Sequence, residues 1–400
     1  MREMKDSGIE WVGAIPAAWG VHRIASHFQE IKEKNTANAY SNALQFKMGK
    51  IIAKPQKWDE DETNEAYSAY TVVHPNTIMI NGLNLEFDFV TQRVARVECN
   101  GIITSAYIAL SPRDDINAEY ICYLLKSYDA CRAFHSMGRG LRKILSYSEL
   151  KNKPIVVPPL AEQERIAAFL DAECAEIDTV LEKTRASIEE YKKLKQAVIT
   201  QAVTKGIRGD RPMKDSGIEW IGEIPAEWDY TKAKNCVDIQ NGSDPKTEGS
   251  VPVYGSGASS FKTCGEYKEG PSVLIGRKGA TLHIPHYIST KFWNVDTAFN
   301  VYAKPNFDLK FYFYCACSFD YRFYISQTTL PSMTQTAYEN MFLPLPSNDE
   351  QRAIASYLDN RCEEIDALIW KKQECLAEIE NYKKSLIYEY VTGKKEVLPL

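Results

Sequence analysis

A duplication constrains this chain more than any other feature. Residues Met4 to Trp19 read MKDSGIEWVGAIPAAW and Met213 to Trp228 read MKDSGIEWIGEIPAEW, identical at thirteen of sixteen positions with an offset of 209. A second repeat follows each first one: Glu162 to Thr204 aligns without gaps on Glu350 to Thr392, at an offset of 188. It pairs Gln163 with Gln351, Ile166 with Ile354, Leu170 with Leu358, Asp171 with Asp359 and Cys174 with Cys362. The stretches between, 20–158 and 229–346, resemble each other only faintly. A chain that keeps its frame and lets its inserts diverge suggests one scaffold presenting two different readers.

The second repeat has a helical period. Ile177, Leu181, Ile188, Tyr191, Val198 and Ala202 follow four–three spacing, interrupted by Thr184 and Lys195. The other copy gives Ile365, Ile369, Leu376, Ile379, Leu386 and Tyr390, interrupted by Lys372 and Lys383. That is a heptad seam, which predicts that the two helices pair with each other, antiparallel so that acidic N-terminal halves meet lysine-rich C-terminal halves. Each helix is expected to start near the prolines at 158–159 or 344–346 and to stop near Gly206 or Gly393. Cys174 continues the apolar face and reads as core.

The inserts alternate strand and helix signals. Strands are expected at Thr77 to Ile80, Ile102 to Leu110, Ser272 to Gly276, Phe299 to Tyr302 and Met341 to Leu345. Helices are expected from Asn117 to Phe134 and through the aromatic stretch Asp308 to Tyr324. The fold class is therefore mixed α+β, with two α/β recognition domains joined by two long antiparallel helices in a pseudo-twofold repeat. The expected boundaries are 1–158 and 213–346 for the domains, with spacer helices at 159–206 and 347–394.

Chemistry is scarce. At 400 residues, 44% apolar and 25% charged, the chain has the composition of a globular protein, and no run of eighteen apolar residues occurs. The absence of an apolar stretch at the N-terminus and of CxxC pairs among the ten cysteines points to a cytoplasmic protein with free thiols. No phosphate-binding GxxxxGK[ST] loop, dinucleotide-type glycine turn or Asn-Pro-Pro-aromatic stretch is present. His283 and His286 lack a carboxylate partner and read as exposed strand residues, so no metal site is expected. No residue reads as catalytic.

Binding is what remains, and a net charge of −5 means that any basic face is local. Gly276-Arg277-Lys278-Gly279 is a basic tip between glycines at the end of a strand. Met137 to Lys153 carries Arg139, Arg142, Lys143, Lys151 and Lys153 beside Gly138 and Gly140. Lys47, Lys50, Lys54 and Lys57 follow the start of the first insert. Gln327 to Gln335, with Gln327 and Thr328, offers side chains suited to phosphates and base edges. The candidate DNA contacts are thus Arg277, Lys278, Arg139, Arg142, Lys143, Gln327 and Thr328. A single-chain methyltransferase or nuclease would need the motifs found missing. A coiled-coil scaffold that never meets DNA would explain the helices but not two divergent domains with basic tips.

The doubled motif KDSGIEWxGxIPxxW at 5–19 and 214–228 resembles the specificity subunit of a type I restriction–modification system. So do Pro158-Pro159-Leu160 with Glu162-Gln163 and Ile166, and Pro346 with Glu350-Gln351 and Ile354. The Gly276 to Gly279 tip and Trp293, Asp296, Thr297 and Phe299 fit the same family; the first insert lacks the tip and the tryptophan. The resemblance implies two target-recognition domains, each reading half of a split, asymmetric double-stranded DNA site. It further implies that the helices, marked by Ile177, Leu181, Ile188, Ile365, Ile369 and Leu376, space the domains and dock two methyltransferase subunits. Those partners would bring S-adenosylmethionine, and a motor–nuclease subunit ATP and Mg²⁺; this chain would hold no cofactor. Trp11, Trp19, Trp220 and Trp228 are expected to anchor each domain to the helices.

Overall fold

The computed structural model describes residues 2–36, 38–55, 67–88, 92–138, 143–257, 259–321, 324 and 331–397. The chain divides into two compact units, Met1–Lys183 with Cys375–Leu400, and Thr184–Glu374. The long helices therefore do not stand apart as separate bodies, since each contributes one half to each unit.

The first long helix runs Leu160–Lys205 and the second Asn348–Val391. Each stops at a glycine with positive φ, Gly206 (+75°) and Gly393 (+71°), the left-handed geometry that ends helices and that residues with a Cβ resist. Within the first unit the two helices are antiparallel, as the Asp178–Lys383 ion pair (2.6 Å) and the Phe169–Tyr390 ring contact (4.5 Å) require. Within the second unit Lys195–Asp366 (2.6 Å) and the Lys372 ammonium over Tyr191 (5.5 Å) require the same. Lys195, Lys372 and Lys383, which interrupt the apolar heptads, thus each meet a partner across the seam. Ile177, Leu181, Ile188 and Ile365 are buried there, and Ile369 and Leu376 partly so.

Each unit carries a four-stranded antiparallel sheet of one strand order. In the first it is Phe28–Glu30, Ile108–Pro112, Ile78–Ile80, Val94–Arg96. In the second it is Val237–Asn241, Ala298–Ala303, Ser272–Gly276, His286–Ile288. One helix packs with each sheet, Ala118–Ala130 capped by the Asn117 side chain and Leu309–Ser318 capped by Asp308. The aromatic helix is shorter than Asp308 to Tyr324, because Phe319 turns to extended backbone. The expected strand from Ile102 to Leu110 is in fact two, Gly101–Ile103 and Ile108–Pro112. The turn at Thr104 to Tyr107 breaks it, and the first piece pairs instead with Thr71–Val73.

The first repeat explains itself as the joint between sheet and helices. Trp19 is buried and its indole donates to Glu162 Oε2 (3.0 Å) at the start of the first long helix. Trp228 does the same to Glu350 Oε2 (2.9 Å) at the start of the second. An arginine lies over each ring and pairs with the same carboxylate, Arg2 in one unit and Arg211 in the other. A Cβ on Gly393 would lie 2.5 Å or less from Pro16, and one on Gly206 would strike Arg211, so each joint also seats the end of the other helix. Gln163 and Gln351 complete the joint: each amide donates to the preceding proline carbonyl and each carbonyl accepts a backbone N–H, from Asn117 or Asp308. Trp11 and Trp220 pack edge-on against Tyr128 and Phe319.

Candidate nucleic-acid interface

In the second unit the strand Ser272–Gly276 delivers its last residue to the basic tip. A Cβ on Gly276 would lie 2.2 Å from Leu282 Cα, and Gly279 has φ +112°, so both positions demand glycine. The N–H groups of Arg277 and Lys278 both donate to the Thr297 carbonyl (2.8 and 3.2 Å). On the other side Met333 N–H donates to Arg277 O (2.9 Å) and Gly279 N–H to Pro331 O (3.0 Å). The backbone is held from both sides while the side chains stay partly exposed. The Arg277 guanidinium lies 5.7 Å over the buried Phe299 ring, and Lys278 Nζ lies 3.6 Å from Asp296. The segment from Trp293 to Phe299 is thus the tip's support.

Lys268 is a further part of that support. It is half-buried, and its ammonium donates to Asn300 Oδ1 (2.6 Å), Asn294 Oδ1 (2.9 Å) and Asn241 O (3.1 Å) beneath the Trp293 ring. Burial pushes its pKa below the usual lysine value. With its donors spent on internal oxygens, it braces the sheets and is not available to phosphate. His286 lies half-buried in its strand, where burial lowers its pKa, and His283 is exposed outside any strand, so the pair is not two exposed strand histidines.

The first unit has the same place with different residues. Leu145 N–H donates to Gly82 O (2.9 Å), just as Met333 N–H donates to Arg277 O, and Leu145 and Met333 stand 188 apart, the offset of the helical repeat. Gly82 therefore corresponds to Arg277, and the segment 143–145 to the segment 331–333. Lys143 in that segment is exposed, with φ +38°. Arg139, Arg142, Gln327 and Thr328 lie outside the described residues, as does Lys57. The same offset of 188 relates Leu145 to Met333 in the sequence.

Beside this place in the first unit stands a hairpin, Leu44–Lys47 and Lys50–Ala53, whose tip carries exposed Lys47, Met48 and Lys50. A Cβ on Gly49 at the tip would lie 2.4 Å from Gln92, which places the tip against the loop between Ile78–Ile80 and Val94–Arg96. Lys54 is set back, its ammonium over Tyr67 (5.7 Å) and Tyr70 (5.9 Å).

The helices show a second kind of surface. Of the residues expected to mark the docking helices, Ile177, Leu181, Ile188 and Ile365 are buried in the seam, and Ile369 and Leu376 are partly buried. Val180 (46% exposed) and Tyr382 (56%) stand beside the Asp178–Lys383 pair in the first unit. Leu194 (46%) and Leu368 (42%) stand beside Lys195–Asp366 in the second. The repeat relates Val180 to Leu368 and Leu194 to Tyr382, so each unit exposes an equivalent apolar pair.

Fold and site define a recognition protein of duplicated design, one frame carrying two divergent edges. A family model described as the type I restriction modification DNA specificity domain matches residues 99–190 and 225–378, more than half of the chain, and the chain belongs to that family. It is similar to the type I restriction enzyme MjaVIII specificity subunit of Methanocaldococcus jannaschii, 25% identical over 422 aligned positions covering 96% of this chain and 94% of that one. It is also similar to the EcoBI specificity subunit of Escherichia coli, 24% identical over 289, covering 63% and 60%. In fold it matches a chain from a study of assembly and conformational transition in the type I R-M system. The TM-score there is 0.74 at 16% identity, covering 95% of this chain and 99% of that one. The HsdS subunit from Thermoanaerobacter tengcongensis gives a TM-score of 0.50 at 18% identity, covering 95% and 98%.

Proposed function

We propose that this chain is the non-catalytic DNA-recognition subunit of a type I restriction–modification complex, acting in the cytoplasm, each unit reading one half of a bipartite asymmetric site. The observation that carries this is the pair of edges, alike in backbone and hydrogen bonding and different in side chains, Gly82 in one and Arg277 in the other. A protein that reads two unlike half-sites needs that combination. Arg277, Lys278, Arg139, Arg142, Lys143, Gln327 and Thr328 are the proposed contacts, and the long helices are the spacer. Two methyltransferase subunits are assigned to the Val180–Tyr382 and Leu194–Leu368 pairs, since a repeated apolar surface suits two copies of one partner. S-adenosylmethionine, ATP and Mg²⁺ then enter with the methyltransferase and motor–nuclease subunits.

The test is binding of the full chain to duplex DNA across a salt series. Phosphate contacts predict a steep linear fall of log affinity with log salt; a coiled-coil scaffold that ignores DNA predicts none. Arg277→Ala is expected to cost about 1–3 kcal/mol if a guanine edge is read, or to lower affinity for every sequence and shrink the salt slope by about one if phosphate is met. Unchanged affinity together with an unchanged slope removes Arg277 from the interface.

A further inference from the structure

The loop between the strands Ile78–Ile80 and Val94–Arg96 carries Phe87, 75% exposed and the most exposed large apolar side chain among the described residues. An aromatic ring left in water on a slack segment would mean little, but residues 81–88 are held. Arg93 is entirely buried, and its guanidinium donates to the carbonyls of Leu83 (2.7 Å), Asp88 (2.7 Å) and Asn81 (3.1 Å). Its backbone N–H donates to Asp129 (2.7 Å) on the neighbouring helix. Asn81 Oδ1 accepts Leu83 N–H (3.1 Å), and Gly82 O accepts Leu145 N–H. A buried cation spent on loop carbonyls fixes the backbone that presents the ring.

Placement says what the ring is for. The loop occupies the position that Arg277 and Lys278 occupy in the second unit, after the equivalent strand of an equivalent sheet. Cationic groups sit on two segments that touch it: Lys143, two residues before the Leu145 that bonds Gly82, and Lys47 and Lys50 on the hairpin that touches Gln92. Lysines near an exposed aromatic ring on a tethered backbone make a surface that holds a polyanion and offers its bases an apolar contact.

We propose that Phe87 is a specificity-determining residue of the first unit, making apolar contact with bases of its half-site while the nearby lysines hold the phosphates. This rests on the DNA-reading function proposed above. It answers the missing basic tip of the first insert: the two readers use different chemistry at one structural position, a ring in one and cationic side chains in the other.

The full chain is used to select sites from a randomised duplex library, and the selected duplex is then titrated at several salt concentrations. For Phe87→Ala, affinity for that duplex is expected to fall roughly tenfold, with preference relaxed at one half-site only. The salt slope stays unchanged, because no phosphate contact is lost. Phe87→Trp keeps most of the affinity, since a larger ring keeps the apolar face. Because the side chain is exposed, thermal stability of both variants should match the parent, which separates a lost contact from a lost fold. If the parent selects no sequence and binds without salt dependence, the DNA-reading function itself fails. If the parent binds and Phe87→Ala matches it in affinity and preference, or changes only the salt slope, the assignment of Phe87 is overturned while that function stands.

Discussion

The two four-stranded sheets share strand order, capped helix and edge hydrogen bond, yet the residue accepting that bond is Gly82 in one unit and Arg277 in the other. The difference comes from local space. A Cβ on Gly82 would lie 2.2 Å from the Leu145 carbonyl oxygen, whereas Arg277 has room for a side chain that leans over Phe299. The loops diverge accordingly. The second unit's closes through a short turn, with Leu282 N–H donating to Gly279 O. The first unit's loop is longer, and its residues 81–88 are gathered by one buried guanidinium. A repeated backbone therefore does not imply a repeated contact chemistry, because the packing beneath each edge decides which side chains it can present.

The sharpest break of this comparison is Arg93→Met. It leaves the carbonyls of Asn81, Leu83 and Asp88 without a donor in a buried site, and the expected loss is about 3–5 kcal/mol in the first unit. Hydrogen exchange resolves it: Ile78–Ile80 should lose protection while Ser272–Gly276 keeps it. A loss below about 1 kcal/mol, or equal loss in both units, would show that the guanidinium does not organise the loop. Gly82→Ala comes next, at about 1–3 kcal/mol, since a backbone carbonyl must shift to admit the methyl group. A urea midpoint equal to the parent's would mean that Leu145 moves freely, and the spatial account of why the first edge lacks a basic tip would fall.

Much of the frame was legible in the sequence, because a duplication exposes its own pattern: long helices, seam, and the Trp19 and Trp228 joints all sit in repeated residues. The exposed faces of the helices were less legible, because an apolar heptad residue such as Ile177 or Leu181 announces burial in the seam and says nothing of the surface beside it. The exposed positions Val180, Leu194, Leu368 and Tyr382 lie next to the seam and break its period, so no pattern singled them out. Arg93 and Phe87 were invisible for a different reason. Nothing in a lone arginine says that it is buried, and its role is set by carbonyls that only the folded loop brings together.

Smaller effects sharpen the comparison by showing where the units do behave alike. Asp178→Asn and Asp366→Asn remove repeat-equivalent ion pairs, both partly exposed. Each should cost no more than about 1 kcal/mol, and the two should agree within error in thermal or denaturant unfolding. A large difference between them would mean that the helix seam is not energetically duplicated.

The smallest effect separates the units by pH. In the second unit Glu266 accepts from the Thr247 hydroxyl (2.7 Å) and from the N–H groups of Lys246 (2.7 Å) and Thr247 (3.1 Å), tying down the loop that follows the strand Val237–Asn241. The Thr247 hydroxyl first, and then those backbone donors, lower its pKa from 4.5 to about 2. A depressed carboxylate contributes stability that is complete above its unfolded value and is lost as pH falls through its folded one, so the loop should loosen between about pH 4.5 and 2. Glu266 is partly exposed, and screening keeps the effect small. The protection of Thr247 against hydrogen exchange, relative to its intrinsic rate, should fall as pH drops across that window, and Glu266→Gln should abolish that pH dependence while leaving the first unit's loop at Asn81 to Asp88 unchanged. If Glu266→Gln kept the parent's pH dependence at Thr247, the carboxylate would not be what ties this loop down.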